Sequence, residues 1–168
     1  LSPSSAASDV YKRQELFNNY GDKSNEELLL NYGFVQDNNQ YDNARLTLRL
    51  DSQLLDGADQ LGVSLSQERV NDNSVQFKLS KKDLLPHNLV QLFALVHKLR
   101  SEDGINLRNS LEGIDSLQSI LMQKVEFFRQ KTRIDASASR KLQILRKYFD
   151  QQRRLFQSSI EHGQKLQK

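Results

Sequence analysis

Two tyrosines that each precede a glycine have the clearest chemical potential in this sequence. Tyr20-Gly21 and Tyr32-Gly33-Phe34 lie within a dense segment that runs from Glu15 to Asp42. Glycine after an aromatic residue allows a positive φ angle or a close approach of the backbone. A tyrosine hydroxyl can orient a reacting group and stabilise charge, but its ordinary pKa of about 10 makes it a poor base at neutral pH. The alternative interpretation is that both aromatic turns belong to the core of the fold.

Other groups that could carry chemistry are better explained as structural residues. The sequence contains no cysteine, which excludes thiolate metal sites and cysteine nucleophiles, and its histidines are few and scattered, so we expect no metal site. It has no glycine-rich phosphate loop, H-E-x-x-H or G-x-S-x-G motif. The acidic pairs Glu26/Glu27 and Asp56/Asp59 are typical of solvated helix turns. His97 falls within an amphipathic pattern, and we expect it to be structural.

Short elements must hold the two tyrosines in place. Residues 15–19 are predicted to be the end of a strand that leads into the first Tyr-Gly turn. Ser24 and Glu27 form a capping-box pattern, in which each side chain bonds the backbone N–H of the other residue. Gly33 is well placed to end the resulting helix. The leucines at positions 28–30 are expected to bury this helix.

After a turn-rich loop at residues 37–43, hydrophobic periodicity predicts the remaining elements. Alternating apolar residues predict strands over 44–50 and 75–79, with a short helix between them over 51–61. From Pro86, suited to a first helical position, apolar residues recur every three or four positions and predict three helices, with breaks at 101–106 and 135–139. We therefore expect an α+β, mainly α fold, in which a small mixed region precedes antiparallel helices. The predicted helical core contains Leu111, Ile114, Leu121, Leu145, Phe149 and Phe156, and Gly163 is expected near a fraying helix end.

Composition describes a polar globular protein with an uneven charge distribution. Of its 168 residues, 37% are hydrophobic and 27% are charged, and no apolar run approaches the roughly 20 residues that span a bilayer. Residues 1–105 carry 11 basic and 15 acidic side chains, whereas residues 106–168 carry 13 basic and 6 acidic. The basic half fits either an acidic partner or solvated helices. Without the aromatic pattern of an RNA-recognition sheet, we expect neither a nucleic-acid nor a membrane partner.

The first 14 residues differ from the rest of the chain. They begin with leucine, are small and polar, and contain no apolar run of signal-peptide length. We expect them to be a foreign or disordered leader.

The dense tyrosine segment contains one long gapless pattern, E-L-F-x-x-Y-G-x-x-S-N-E-E-L-L-L-x-Y-G-F, followed by D-N-N and Asp42. This pattern resembles the carboxy-terminal end of the SET domain in the Rubisco large-subunit methyltransferase-like family. Within that family, its residues are most similar to those of fungal ribosomal-protein lysine methyltransferases. The later helices, opened by L-L-P-x-x-L-V-x-L-F, resemble the family's all-helical substrate-binding domain. The resemblance divides the chain into a leader (1–14), the end of a SET domain (15–43), connecting strands and a short helix (44–80) and the helical domain (81–168).

The resemblance implies an S-adenosylmethionine-dependent protein-lysine N-methyltransferase that acts on a ribosomal or other cytosolic protein in the cytoplasm or nucleus. By position, Tyr20 matches the catalytic tyrosine at the methyl-transfer channel. Tyr32 matches a residue that lines the lysine pocket and the cofactor edge, and Phe34 matches the aromatic residue near the adenine of the cofactor. The helical domain would bind the protein substrate.

Two family motifs are not found in this sequence. The first cofactor loop, with its Gly-x-Gly, and an Asn-His motif both lie upstream of the matching segment in the family. We therefore expect this chain alone neither to bind the cofactor tightly nor to turn over. Two alternatives stay open: a non-catalytic helical interaction module with structural Tyr-Gly turns, and a histidine N-methyltransferase of the same family.

Overall fold

The computed structural model describes residues 20–60, 62–65, 68–98, 107–133, 135, 137 and 139–168. Within these residues the elements are α1 (Asn25–Tyr32), β1 (Asn43–Arg49), α2 (Ser52–Gln60), β2 (Arg69–Asn71), β3 (Ser74–Ser80), α3 (His87–Lys98), α4 (Leu107–Lys131) and α5 (Arg140–Leu166). This order confirms the α+β, mainly α fold class. The predictions for the leader (1–14), the strand end at 15–19 and the connection at 101–106 lie outside the described residues.

The strands form an antiparallel sheet in the order β1-β3-β2. The register pairs Leu46 with Phe77 and Ala44 with Leu79, so the alternating apolar residues of both strands share one buried face. Both predicted strands are therefore confirmed. Sequence analysis does not predict β2, because its three residues are exposed and show no alternation.

The helices α3, α4 and α5 pack in sequence, with α4 in contact with both neighbours. At Gly113 of α4, a Cβ atom would lie 2.8 Å from the backbone nitrogen of Ala94 in α3, so these two helices approach very closely. The helix α5 runs back along α4, because Phe156 stacks on Phe128 while Gly163 lies against Ile114. The predicted antiparallel arrangement of the last two helices is confirmed.

One apolar core joins the sheet to the helices. It contains residues on both sides of residue 80, including Leu46, Phe77, Leu79, Leu89, Leu92, Leu117, Leu121, Phe156 and Ile160.

No helix in the described parts of the chain is long and apolar enough to cross a membrane. The proposed boundaries at residues 43 and 80 stay predictions.

Half of the predicted helical core is fully buried. Ile114, Leu121 and Phe156 are buried, as expected. The three other predicted members, Leu111, Leu145 and Phe149, are only partly buried. Of these three, Phe149 packs against Phe128 across the contact between α4 and α5, with 6.0 Å between the ring centroids.

Two predictions about helix burial were wrong. Only Leu28 of the three leucines in α1 is buried, and Leu30 is 77% exposed. Consecutive helical residues point about 100° apart, so one packed face cannot take all three. Gly163 does not mark a frayed end, because α5 continues to Leu166 and Gly163 is buried against Ile114 and Gln118.

Candidate functional site

The helix α1 is fixed at both ends by the residues that the sequence predicted. The Ser24 backbone N–H donates to Glu27 Oε2 at 2.9 Å, and the Glu27 N–H donates to Ser24 Oγ at 3.3 Å. The Ser24 N–H and the Ser24 hydroxyl both donate to the Glu27 carboxylate, and these two bonds hold its pKa below the usual value. Gly33 ends the helix with a φ angle of 74°, and its N–H donates to the carbonyl of Leu29. The capping box and the glycine cap are both confirmed.

The two tyrosine turns meet in one aromatic cluster. The ring centroids of Tyr20 and Tyr32 lie 4.7 Å apart, and those of Tyr20 and Phe34 lie 5.1 Å apart, both edge to face. Gly21 has a φ angle of 75°, as a glycine after an aromatic turn allows. Tyr20 is 37% exposed and Tyr32 is 48% exposed. The structure thus brings all three predicted site residues together, on the surface rather than in the core.

A cavity of about 520 Å³ opens beside this cluster. Its walls are formed by Tyr20, Gly21, Leu28, Phe34, Gln36, Asn38, Asn39, Gln40 and Tyr41. Tyr20 and Phe34 border the cavity directly, whereas Tyr32 contacts their rings from outside it. The aromatic wall faces a loop of amide side chains, which can supply both hydrogen-bond donors and acceptors.

A buried polar network supports the loop at residues 36–41 that lines the cavity (the cavity loop). Sequence analysis did not assign this network a role. Its central residue is Asn25, which is 1% exposed. The backbone N–H of Asn25 donates to Asp42 Oδ1 at 3.0 Å, and its Nδ2 donates to Asp42 Oδ2 at 3.1 Å. Burial raises the pKa of the Asp42 carboxyl, although these bonds from Asn25 act in the opposite direction. Asp42 is therefore a buried acceptor that depends on its partners.

Polar contacts also join this region to α5. Gln151 Nε2 donates to the carbonyl of Gln36 at 3.1 Å, and Lys147 forms an ion pair with Asp37 at 2.7 Å. Tyr148 lies between Lys147 and Gln151 on α5. Burial raises the pKa of Tyr148 to about 12, and the nearby carboxylates of Glu26 and Asp42 add to this effect. The cavity loop is thus tied to the helix α5 by polar groups.

Two other candidates from the sequence, His97 and Glu26, make contacts between elements of the fold. His97 Nε2 lies 2.8 Å from Ser116 Oγ and its Nδ1 lies 3.5 Å from Glu112, so the ring bridges α3 and α4. Glu26 forms an ion pair with Arg45 of β1, with 3.0 Å between Oε2 and Nε.

One sequence signal could have revealed the polar network. Asn25 occupies the first position of α1, directly after the cap, where a solvated polar residue is the ordinary expectation. The run D-N-N and Asp42 belong both to the turn-rich loop at residues 37–43 and to the family pattern. A helix start that is followed closely in sequence by several Asn and Asp residues, whose side chains compete for backbone hydrogen bonds, would be a usable signal for such a network.

Solved structures of Rubisco LSMT share this fold. A structure of Rubisco LSMT bound to sinefungin and monomethyllysine matches with a TM-score of 0.59 and 17% identity, covering 92% of this chain and 41% of that one. The SET domain of LSMT bound to lysine and AdoHcy matches with a TM-score of 0.58, also at 17% identity, covering 90% of this chain and 40% of that one. The described residues therefore adopt the fold of the corresponding part of these SET-domain enzymes.

Sequence comparison gives the family. The EFM1 middle domain matches residues 43–168, and the chain belongs to this family. Protein-lysine N-methyltransferase EFM1 of Saccharomyces cerevisiae is 37% identical over an alignment of 165 residues that covers 93% of this chain. Ribosomal lysine N-methyltransferase 1 of the same yeast is 28% identical over an alignment of 140 residues that covers 67% of this chain. The chain spans 28% and 24% of the lengths of these two relatives. The resemblance to the Rubisco large-subunit methyltransferase-like family is confirmed.

Proposed function

We propose that the complete protein is an S-adenosylmethionine-dependent protein-lysine N-methyltransferase. In this proposal the chain supplies the aromatic wall of the active site and the helical domain that holds a protein substrate. The observation that carries the proposal is the cluster of Tyr20, Tyr32 and Phe34 at the cavity, in a chain 37% identical to a yeast protein-lysine methyltransferase.

The residues at the cavity fit part of an S-adenosylmethionine site. Phe34 offers a ring against which an adenine can pack, and the face of an aromatic ring attracts a positively charged sulfur. The amide side chains of Asn38 and Gln40 line the same cavity and can bond the polar edges of the cofactor. When bound, S-adenosylmethionine supplies an activated methyl group on a positively charged sulfur.

The aromatic wall also suits a lysine acceptor. Lysine must lose a proton before it can act as a nucleophile, and its free pKa is about 10.4. Apolar surroundings disfavour the ammonium form and lower this pKa. The rings of Tyr20 and Tyr32 provide such surroundings, while the Tyr20 hydroxyl at the cavity edge can accept a hydrogen bond and orient the amine.

The helical domain would recognise the protein that carries this lysine. Residues 106–168 hold 13 basic and 6 acidic side chains, which favours an acidic substrate surface. A ribosomal or other cytosolic protein is the substrate class that we propose, in line with the names of the yeast relatives.

The test is Tyr20→Phe in the protein encoded by the complete open reading frame. The change keeps the ring and removes the hydroxyl, so folding should be unaffected while the methyl-transfer rate falls by roughly 10²–10³. Tyr41→Phe is the matched control, because Tyr41 lines the same cavity outside the aromatic cluster and its hydroxyl bonds Asp22. Tyr41→Phe should keep nearly the full rate.

Three outcomes would count against the proposal. Unchanged turnover in folded Tyr20→Phe would remove the catalytic role of Tyr20. Methyl-histidine in place of methyl-lysine in the substrate, identified by mass spectrometry, would change the acceptor. No methyl transfer to any protein of a cell extract by the complete protein would favour the non-catalytic helical module.

A further inference from the structure

We infer that Asn25 is a positioning residue through which the helix α5 sets the geometry of the aromatic wall. The inference rests on the proposed function for its consequence in catalysis, but its structural part can be tested without any activity. It assigns a role to a buried amide that lies at the contact between the cavity loop and the helical domain.

The first step is the bond between Asn25 and the chain that follows Phe34. Asn25 Nδ2 donates to the carbonyl of Gln36 at 3.0 Å, and the N–H of Gln36 donates to Asn25 Oδ1 at 3.0 Å. The side-chain amide therefore pairs with both backbone groups of Gln36, as a neighbouring strand would. Gln36 lines the cavity and lies two residues after Phe34, so this pairing fixes the backbone that carries the Phe34 ring.

The second step is the bonding of Asn39, at the opposite side of the cavity loop from Gln36. Asn39 Nδ2 donates to Asn25 Oδ1 at 3.3 Å and to the carbonyl of Lys23 at 2.8 Å. Asn39 Oδ1 in turn accepts from the N–H of Tyr41 at 2.9 Å. One buried amide thus holds two stretches of the cavity wall, at Gln36 and at Asn39.

The third step connects this amide to α5. Asn25 Nδ2 lies 2.6 Å from Gln151 Oε1, across 126 positions of sequence, and its two hydrogens are shared among Gln151 Oε1, the Gln36 carbonyl and Asp42 Oδ2. Gln151 Nε2 donates to the Gln36 carbonyl at 3.1 Å, so Asn25 and Gln151 share that acceptor. A movement of α5 would therefore act on the Gln36 backbone both directly and through Asn25.

The helix α1 cannot hold the cluster by itself. It has 8 residues, fewer than an isolated helix needs for stability in water, and it ends at Tyr32. The 5.1 Å between the Tyr20 and Phe34 rings therefore depends on contacts outside α1. Since a displacement of about 1 Å at a reacting centre can lower a rate roughly 100-fold, loss of the Asn25 link should reduce kcat.

The test compares two adjacent glutamines of α5 in the complete protein. Gln151→Met removes the link to Asn25 and Gln36, whereas Gln152→Met removes a bond of the same kind to the carbonyl of Asn43, away from the cavity. Methionine keeps the length and flexibility of the side chain. Gln151→Met should lower kcat by about tenfold or more, and Gln152→Met should lower the Tm without lowering kcat.

A second variant changes Asn25 itself. Asn25→Asp keeps an acceptor for Gln36 but removes the donors and places a second carboxylate against Asp42. The kcat of Asn25→Asp should fall further than that of Gln151→Met. The double variant Asn25→Asp/Asp42→Asn should recover part of this loss. Equal effects of Gln151→Met and Gln152→Met on kcat would overturn the inference, even if Asn25→Asp does not fold.

A readout independent of activity separates the inference from the proposed function. Fluorotyrosine incorporated at position 32 reports its ring environment by 19F NMR. The resonance should move in Gln151→Met and stay in place in Gln152→Met. An unmoved resonance in Gln151→Met would refute the positioning role, whereas a complete wild-type protein without methyltransferase activity would refute only the proposed function.

Discussion

The helical core and the polar junction at α1 are held together by different kinds of contact. In the core, side chains such as Leu117, Leu121 and Phe156 are buried against one another and need no particular partner atom. In the junction, Asn25 and Asp42 are equally buried, but each depends on hydrogen bonds to named atoms. We therefore expect the core to supply most of the stability of the fold, and the polar junction to set the geometry of the proposed site.

This difference follows from the physics of the two contacts. Apolar burial is non-directional and tolerates changes that conserve volume, so a core can repack. A buried polar group that loses its partner costs roughly 1–3 kcal/mol, and its replacement must match in direction as well as size. The junction should therefore fix the positions of Tyr20, Tyr32 and Phe34 more strictly than the core could.

The largest expected effect tests the core. Leu121 of α4 has no exposed surface, and Leu121→Ala should lower the free energy of unfolding by about 2–5 kcal/mol. The neighbouring Met122 is 50% exposed, so Met122→Ala is a control that should change it by about 0.5 kcal/mol or less. Both values come from denaturant unfolding. A cost below about 0.5 kcal/mol for Leu121→Ala would show that this face of α4 is not part of the core.

The second prediction tests the closest helix contact. In Gly113→Ala the new Cβ would lie 2.8 Å from the Ala94 nitrogen and 2.9 Å from the Phe93 carbonyl carbon, and both are backbone atoms. The change should therefore destabilise the fold by about 1–3 kcal/mol, despite the better helix propensity of alanine.

Gly163→Ala is the matched control for this contact. The nearest atom to its new Cβ is Gln118 Nε2 at 3.1 Å, on a flexible side chain that can move. It should cost clearly less than Gly113→Ala. If Gly113→Ala were stabilising in thermal unfolding, α3 and α4 would have to lie farther apart than described.

The same division explains what the sequence could and could not predict. Periodicity predicted β1, β3 and the three long helices, because each buries one regular apolar face, and the Ser24–Glu27 pattern predicted the start of α1. The sequence was misleading where apolar residues were consecutive, as at Leu30, and where a glycine near a helix end was packed, as at Gly163.

The site was only partly predictable. The resemblance selected Tyr20, Tyr32 and Phe34, and the structure groups them. Asn25 and Gln151 could not be paired from the sequence, because a single amide has no periodic pattern and its partner lies 126 positions away. Directional contacts of this kind appear only when the tertiary structure brings their atoms together.

The third prediction weakens one end of the junction. Ser24→Ala removes the hydroxyl that accepts from the Glu27 N–H and donates to its carboxylate. Loss of such a cap typically costs about 1 kcal/mol. Hydrogen exchange should accelerate at the first amides of α1 but not in α4, which lies in the core. Equal acceleration in both helices would mean that α1 opens only when the whole fold opens.

The smallest expected effect is a pH dependence at the same cap. The Ser24 bonds lower the pKa of Glu27 in the folded state, so its carboxylate stabilises the fold above the ordinary pKa of 4.5, and this contribution is lost as the pH falls through the lowered value. Glu27→Gln removes the charge, so the wild type should be more stable than the variant by about 0.5 kcal/mol at neutral pH, and the difference should shrink on acidification.

Comparing the wild type with Glu27→Gln separates the effect of the Glu27 carboxyl on stability from that of the buried Asp42 carboxyl. Asp42 has a raised pKa, and its effect on stability has the opposite sign: it favours the folded state more as the pH falls through the raised value. Because both proteins contain Asp42, its effect cancels in the difference between their free energies of unfolding. Urea unfolding of both proteins between about pH 7 and pH 3 measures that difference. If it stays constant down to about pH 3, the Ser24–Glu27 bonds contribute nothing that depends on the charge of Glu27.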